Sequence, residues 1–133
     1  MNTSTMDPKL YQDEFKYLFG KRSFCVRGVL VSAAFIEGQI VDLAKPFLKA
    51  EGIKCKPEST QEYFKSLEVL ETKRKLNSKE LDQIEKFRKE RNKAIHGVFK
   101  GMTRPQWEQQ NKKVVELARP IIENLDKKLY PQG

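Results

Sequence analysis

The chain has 133 residues, with 26 Lys and Arg against 18 Asp and Glu, a net charge of +8, and 38% hydrophobic residues. That balance excludes a disordered chain and fits one domain with a real core. Two cysteines and a lone histidine, His96, exclude a disulfide framework; no metal site and no cofactor are expected.

The elements read as helices in chain order. Residues 1–6 form a polar tail, expected to be frayed. Asp7-Pro8 opens a first helix to about Phe19, with Leu10, Phe15, Leu18 and Phe19 on its apolar side. A second helix is expected from near Ser23 to Lys49, apolar on nearly every side and therefore central. Pro46 is expected to kink it or end its regular hydrogen bonding near Asp42. Arg27, Glu37, Gln39 and Asp42 interrupt that apolar run and need partners wherever they are buried.

Ser59-Thr60-Gln61-Glu62 fits a capping box, opening a third helix with Tyr63, Phe64, Leu67 and Leu70 inward. Asn77-Ser78-Lys79-Glu80 opens a fourth, with Leu81, Ile84, Phe87 and Ile95 inward, ending at Gly97. Thr103-Arg104-Pro105-Gln106 opens a fifth, carrying Trp107, Val114, Val115, Leu117, Ile121, Ile122 and Leu125, with Pro120 bending or interrupting it. No strand-period alternation, internal repeat or long linker appears. The expected fold is all-α: a single bundle of about five helices, residues 1–133, on a four-helix core.

The first twenty residues lack the basic and apolar regions of a secretion signal. The longest apolar stretch, around Val29–Ile36, is far short of the ~20 residues that span a bilayer. A cytoplasmic protein with free thiols and no membrane partner is the expectation. Cys25, in an apolar segment, reads as inert core. The chain has no Gly-rich phosphate loop, Ser nucleophile elbow or dinucleotide fingerprint, which leaves ordinary metabolic chemistry without a motif.

The basic excess crowds into Lys73-Arg74-Lys75 and Lys86–Lys93, and it favours an acidic partner such as RNA. The segment from Phe87 to Gly97, FRKERNKAIHG, places an Arg, an Asn and the His at a helix end. Arg91 lies seven residues after Ile84 and four from both Phe87 and Ile95, on the apolar stripe. Such an arginine either meets a carboxylate, Glu37 or Asp42, or has its head at an interface. His96 is about 140° around an ideal helix from Arg91 and shares a side with Asn92. The two meet only if the helix ends or loosens before His96, as Gly97 would allow, or if another helix or subunit completes the site. A purely structural role is also open, since a His in a last helical turn favours the exposed carbonyls.

Arg91-Asn92-x-x-x-His96, near the end of the penultimate major helix of a small all-helical chain, resembles the HEPN superfamily. Arg27-Gly28-Val29-Leu30-Val31-Ser32-Ala33-Ala34 followed by Glu37 resembles the long second helix of the branch near the mannitol operon repressor. The resemblance covers roughly residues 23–125. It implies a homodimer whose Arg and His line a shared basic cleft, and often a metal-independent endoribonuclease of toxin or defence systems. In that chemistry the ribose 2′-hydroxyl attacks the adjacent phosphate. Arg91 would hold the phosphate, Asn92 would position it and His96 would transfer a proton. Imidazole suits proton transfer near neutrality and guanidinium suits a phosphorane-like charge.

Arg88, Lys89, Lys93 and Lys100 are the expected nucleic-acid contacts. Tyr11, Phe19, Tyr63, Phe99 and Trp107 are either base-stacking or core residues. Val98 stands where some HEPN toxins carry a modifiable Tyr. A cognate antitoxin or regulator is a further expected partner. The alternative functions are a non-catalytic nucleic-acid-binding or regulatory dimer, and a helical module that docks a partner protein.

Overall fold

In the computed structural model, which describes residues 7–57 and 59–131, five α-helices and two short 3-10 turns carry the chain, with no strand among the described residues. The expected tail, residues 1–6, lies outside the described part. The helices are α1 (Pro8–Leu18), α2 (Val26–Ala50), α3 (Thr60–Thr72), α4 (Ser78–His96) and α5 (Arg104–Leu129).

Their starts follow from the side chains that cap them. Asp7 accepts the amides of Lys9 and Leu10 at 3.0 and 3.2 Å, with Pro8 pre-set for the first turn. Asn77 with Glu80, and Thr103 with Gln106, form complete reciprocal boxes. Ser59 makes only half of its expected box: its hydroxyl caps the Glu62 amide, but its own amide turns back to the Lys56 carbonyl.

Two departures concern α2. It begins at Val26 rather than near Ser23, because residues 21–23 form a 3-10 turn and Cys25 is extended. It also runs through Pro46 to Ala50 without a break, as α5 runs through Pro120. A proline removes a hydrogen bond from the ladder, and burial on several neighbours outweighs that loss here. Ile40, Ala44 and Leu48 are buried on both sides of Pro46 along one face.

Cross-links give the directions. Gln39 of α2 reaches the Ile122 carbonyl of α5, while Val26 sits beside Trp107 and Asn111, so α2 and α5 run parallel. Glu80, Glu90 and Ala94 of α4 meet Asn124, Gln110 and Trp107 of α5, so α4 runs antiparallel to both. The core is shared by all five helices: Leu18, Ile36, Ile40, Leu70, Phe87, Ile122 and Leu125 are nearly or fully enclosed. A buried relay ties three helices at one point. Gln39 donates to the Tyr11 hydroxyl, which donates to Asp126 at 2.7 Å. Burial and that carboxylate push the Tyr11 phenol well above its ordinary range.

Three residues expected inward face out. Leu10, Phe64 and Ile95 are all substantially exposed. Among the interrupting polar residues of α2, only Gln39 is buried; Arg27 turns to Glu14 of α1 at 2.8 Å instead of to Glu37 or Asp42.

The α4–α5 seam carries a pH dependence. Glu90 is 8% exposed and meets Gln110 at 3.0 Å, Lys113 at 3.1 Å and Lys93 at 3.2 Å. The Gln110 amide, with the two ammonium groups, overcomes partial burial and holds its pKa down at about 2, against 4.5 ordinarily. A depressed carboxylate stabilises fully above its unfolded pKa and loses that contribution as pH falls toward the folded one. Glu90→Gln is therefore expected to cost about 1–2 kcal/mol at pH 7. The gap between variant and wild type should narrow from pH ~4.5 to ~2 in urea unfolding. An equal gap at pH 7 and pH 3 would contradict this.

Candidate functional site

Arg91 and His96 lie on one unbroken helix. The α-helical run of α4 extends through His96, and only at Gly97 does it tighten into a 3-10 turn. The helix does not loosen in time, so Arg91 and His96 stay about 140° apart with a rise of about 7.5 Å between them. They are not brought together within one chain.

Arg91 enters a groove of about 570 Å³ between α2, the start of α3 and α4. Its neighbours there include Glu37 and Gly38 of α2, Tyr63 and Phe64 of α3, and Arg88. The Arg91 Nε is fully buried and has no hydrogen-bond partner, and no ion pair to the residue exists among the described residues. A guanidinium held this way has spare donors to offer. The expected neutralisation by Glu37 or Asp42 does not take the form of an ion pair to Arg91.

Tyr63 forms the groove wall. Burial, followed by the Glu37 charge, pushes its phenol up to about 12 against the opposing pull of Arg91. It is therefore a neutral hydroxyl and a donor near pH 7. Phe64 lies 5.6 Å from the Tyr63 ring, edge to face, and is 54% exposed. Sequence reasoning placed Phe64 inward. The available signal was its neighbours: Gln61, Glu68 and Glu71 at helical spacing put it on the polar stripe of α3.

Asn92 is half-buried and His96 is exposed. The end of α4 that carries His96 is nevertheless firmly held. Trp107 Nε1 donates to the Ala94 carbonyl at 2.7 Å, and Met102 N donates to the Gly97 carbonyl. A Cβ on Gly97 would come within 2.6 Å of Met102 and 2.9 Å of Trp107, so α5 packs directly on the backbone next to His96.

The expected nucleic-acid contacts divide. Lys89 and Lys100 are exposed and form no ion pair among the described residues. Arg88 is held by Glu85 at 2.6 Å, and Lys93 by Glu90. Of the aromatic candidates, Tyr11 and Trp107 are committed to internal hydrogen bonds. Phe19 stacks on Phe15 at 4.9 Å, and only Phe99, 89% exposed, stands free of the core.

Exposed apolar residues collect at the same end of the bundle. Leu30 and Val26 start α2, and Ile95 and Phe99 end α4, which runs antiparallel to it. Among the described residues no three His, Cys, Asp or Glu are grouped to hold a metal ion, and no helix is long and apolar enough to cross a membrane. Comparison with protein-family models, curated proteins and solved structures gives no match for this chain.

Proposed function

We propose that this chain is a HEPN-like, metal-independent endoribonuclease that acts as a homodimer in the cytoplasm, in a toxin or defence role with a cognate antitoxin or regulator as partner. The observation that carries the reading is Arg91: a guanidinium with a buried, unpartnered Nε at the edge of an aromatic groove. An arginine that lines a groove without a carboxylate partner is suited to take an anionic ligand there. The ligand that suits a planar fork is a phosphate.

The separation of Arg91 and His96 along one helix supports a site shared with a second subunit. One chain presents Arg91 and His96 as two half-sites, and a two-fold partner can bring the Arg of one beside the His of the other. The exposed Val26, Leu30, Ile95 and Phe99 supply apolar surface for that pairing, next to His96. In the assembled cleft, the RNA phosphate rests on Arg91 with Asn92 alongside. The 2′-hydroxyl attacks that phosphate and the 5′-oxygen leaves. His96 carries a proton at one of those two oxygens, and the product ends in a cyclic phosphate. Lys89 and Lys100 hold the flanking backbone.

The test is cleavage of an end-labelled RNA of mixed sequence in EDTA. The expected result is persistent cleavage with cyclic phosphate ends and a steep loss of RNA binding with salt. Salt-sensitive binding without cleavage would move the function to a non-catalytic, regulatory binder. Absence of both would remove nucleic acid from the account.

A further inference from the structure

The groove that receives Arg91 holds more than a phosphate needs. At about 570 Å³ it lies in the range of sites that take a whole small molecule rather than one anion. Arg91 stands on its α4 wall, Glu37 on its α2 wall, and Tyr63 and Phe64 on its α3 wall. Building on the nuclease reading above, we infer that the groove selects guanosine as the nucleotide joined to the phosphate on Arg91, with Glu37 reading the base and Phe64 stacking on it.

The first support is the carboxylate. Glu37 is exposed and makes no ion pair among the described residues, so both of its oxygens are open to a ligand. It faces the same space as Arg91, because the two charges act on the Tyr63 phenol in opposite directions. A carboxylate there repels the phosphates of bound RNA, and that cost is offset where the ligand brings donors to it. An ionised carboxylate only accepts hydrogen bonds. Guanine is the base whose pairing edge presents two adjacent donors, N1–H and the N2 amino group, one for each oxygen. Adenine and cytosine place a ring-nitrogen acceptor beside their single amino donor, and uracil sets its one N–H between two carbonyls. Each of those three turns a lone pair toward Glu37.

The second support is the platform. Phe64 is 54% exposed at the groove wall, and Tyr63 holds its ring edge to face at 5.6 Å. An aromatic face held open in this way suits a flat base. Such stacking tolerates any base, so it supplies affinity while Glu37 supplies the choice. There is also room for a purine. Gly38 follows Glu37 on the α2 wall, and a Cβ there would meet nothing within 4 Å. The Tyr63 hydroxyl stays protonated near pH 7 and adds a donor of the kind that the guanine O6 accepts.

Two readouts separate this inference from the reading it rests on. The first is equilibrium binding of the four nucleoside 3′-monophosphates to the folded protein. The guanosine nucleotide should bind at least about tenfold more tightly than the other three, the usual worth of a two-pronged base contact. Glu37→Gln should bring it down to their level, and Phe64→Ala should weaken all four by about tenfold. Both residues are exposed, and circular dichroism should show both variants folded. The second readout is the position of cuts in mixed-sequence RNA. Wild type should cut beside guanosine on one fixed side, and Glu37→Gln should lose that preference. Cleavage without base preference would overturn the inference and leave the nuclease reading standing. A guanosine preference in binding that depends on Glu37, without any cleavage, would uphold the selectivity of the groove and overturn the nuclease reading. Four nucleotides bound alike, none bound, or a guanosine preference that survives Glu37→Gln would overturn the inference.

Discussion

Gly28→Ala is expected to destabilise the protein by about 3 kcal/mol, although alanine is the better helix former. Gly28 lies in the first turn of α2, and a Cβ built there falls 1.6 Å from the Ser23 carbonyl oxygen and 2.6 Å from its carbon. Both contacts are backbone, so no side chain can swing aside. The corner is also fixed from behind. The Ser23 hydroxyl, fully buried, donates to the carbonyls of Gly20 and Leu18 at 2.7 and 3.1 Å. Arg119 of α5 donates to the same two carbonyls at 3.0 and 2.8 Å. Moving Ser23 away from a new methyl group therefore disturbs the bonds that tie the turn before α2 to the end of α1 and to Arg119 of α5.

Gly38, in the same helix, provides the comparison, because a Cβ there meets nothing within 4 Å. Gly38→Ala should stabilise by about 0.5–1 kcal/mol through helix propensity alone. Urea midpoints of the two variants should thus move in opposite directions from wild type. A Gly28→Ala midpoint at or above wild type would contradict the packing of this corner.

The second large effect concerns Arg91, and it is an effect on activity without a matching effect on the fold. Arg91→Ala is expected to lower RNA cleavage by about 10²–10³, the usual cost of losing a preorganised donor to a developing anion. Its unfolding midpoint should change little, since no described residue is hydrogen-bonded or ion-paired to Arg91. Arg91→Lys should recover little, because an ammonium lacks the two-pronged fork. His96→Ala is expected to cost a comparable 10²–10⁴ in cleavage. A large drop in stability for Arg91→Ala with unchanged cleavage per folded molecule would make the arginine a structural element instead.

The helix content was legible because this chain marks its helix starts with side chains. Asn77 with Glu80 and Thr103 with Gln106 are local pairs three residues apart, and local pairs can be read from a string. The motif in α4 was legible for the same reason, including its internal difficulty: five residues on a regular helix hold Arg91 and His96 apart.

What stayed hidden depends on contacts between distant parts. Arg119 locks the turn before α2 from about a hundred residues away, and nothing in its own neighbourhood announces that role. That lock and the close approach at Gly28 explain why α2 starts three residues later than its apolar pattern implies. At Pro46 the helix continues to Ala50 although one ladder hydrogen bond is lost, because tertiary burial on either side holds it. Cys25, expected in the core from its apolar neighbours, is half-buried, because it stands in the extended turn before α2 with its Sγ beside the Tyr17 hydroxyl. The groove was only partly visible: Arg91, Arg88 and Tyr63 were singled out, but the role of Phe64 depends on which side of α3 faces α2.

The central claim is that Arg91 and His96 act together across a dimer, because one continuous helix keeps them apart in each chain. The most direct measurement mixes two inactive variants, Arg91→Ala and His96→Ala, after subunit exchange and assays RNA cleavage in EDTA. Random pairing makes half of the dimers mixed, and each mixed dimer regains one of its two composite sites. The account predicts that each variant alone is inactive and that the mixture recovers about a quarter of wild-type activity. A mixture as inactive as its components, with exchange verified by mass, would contradict it.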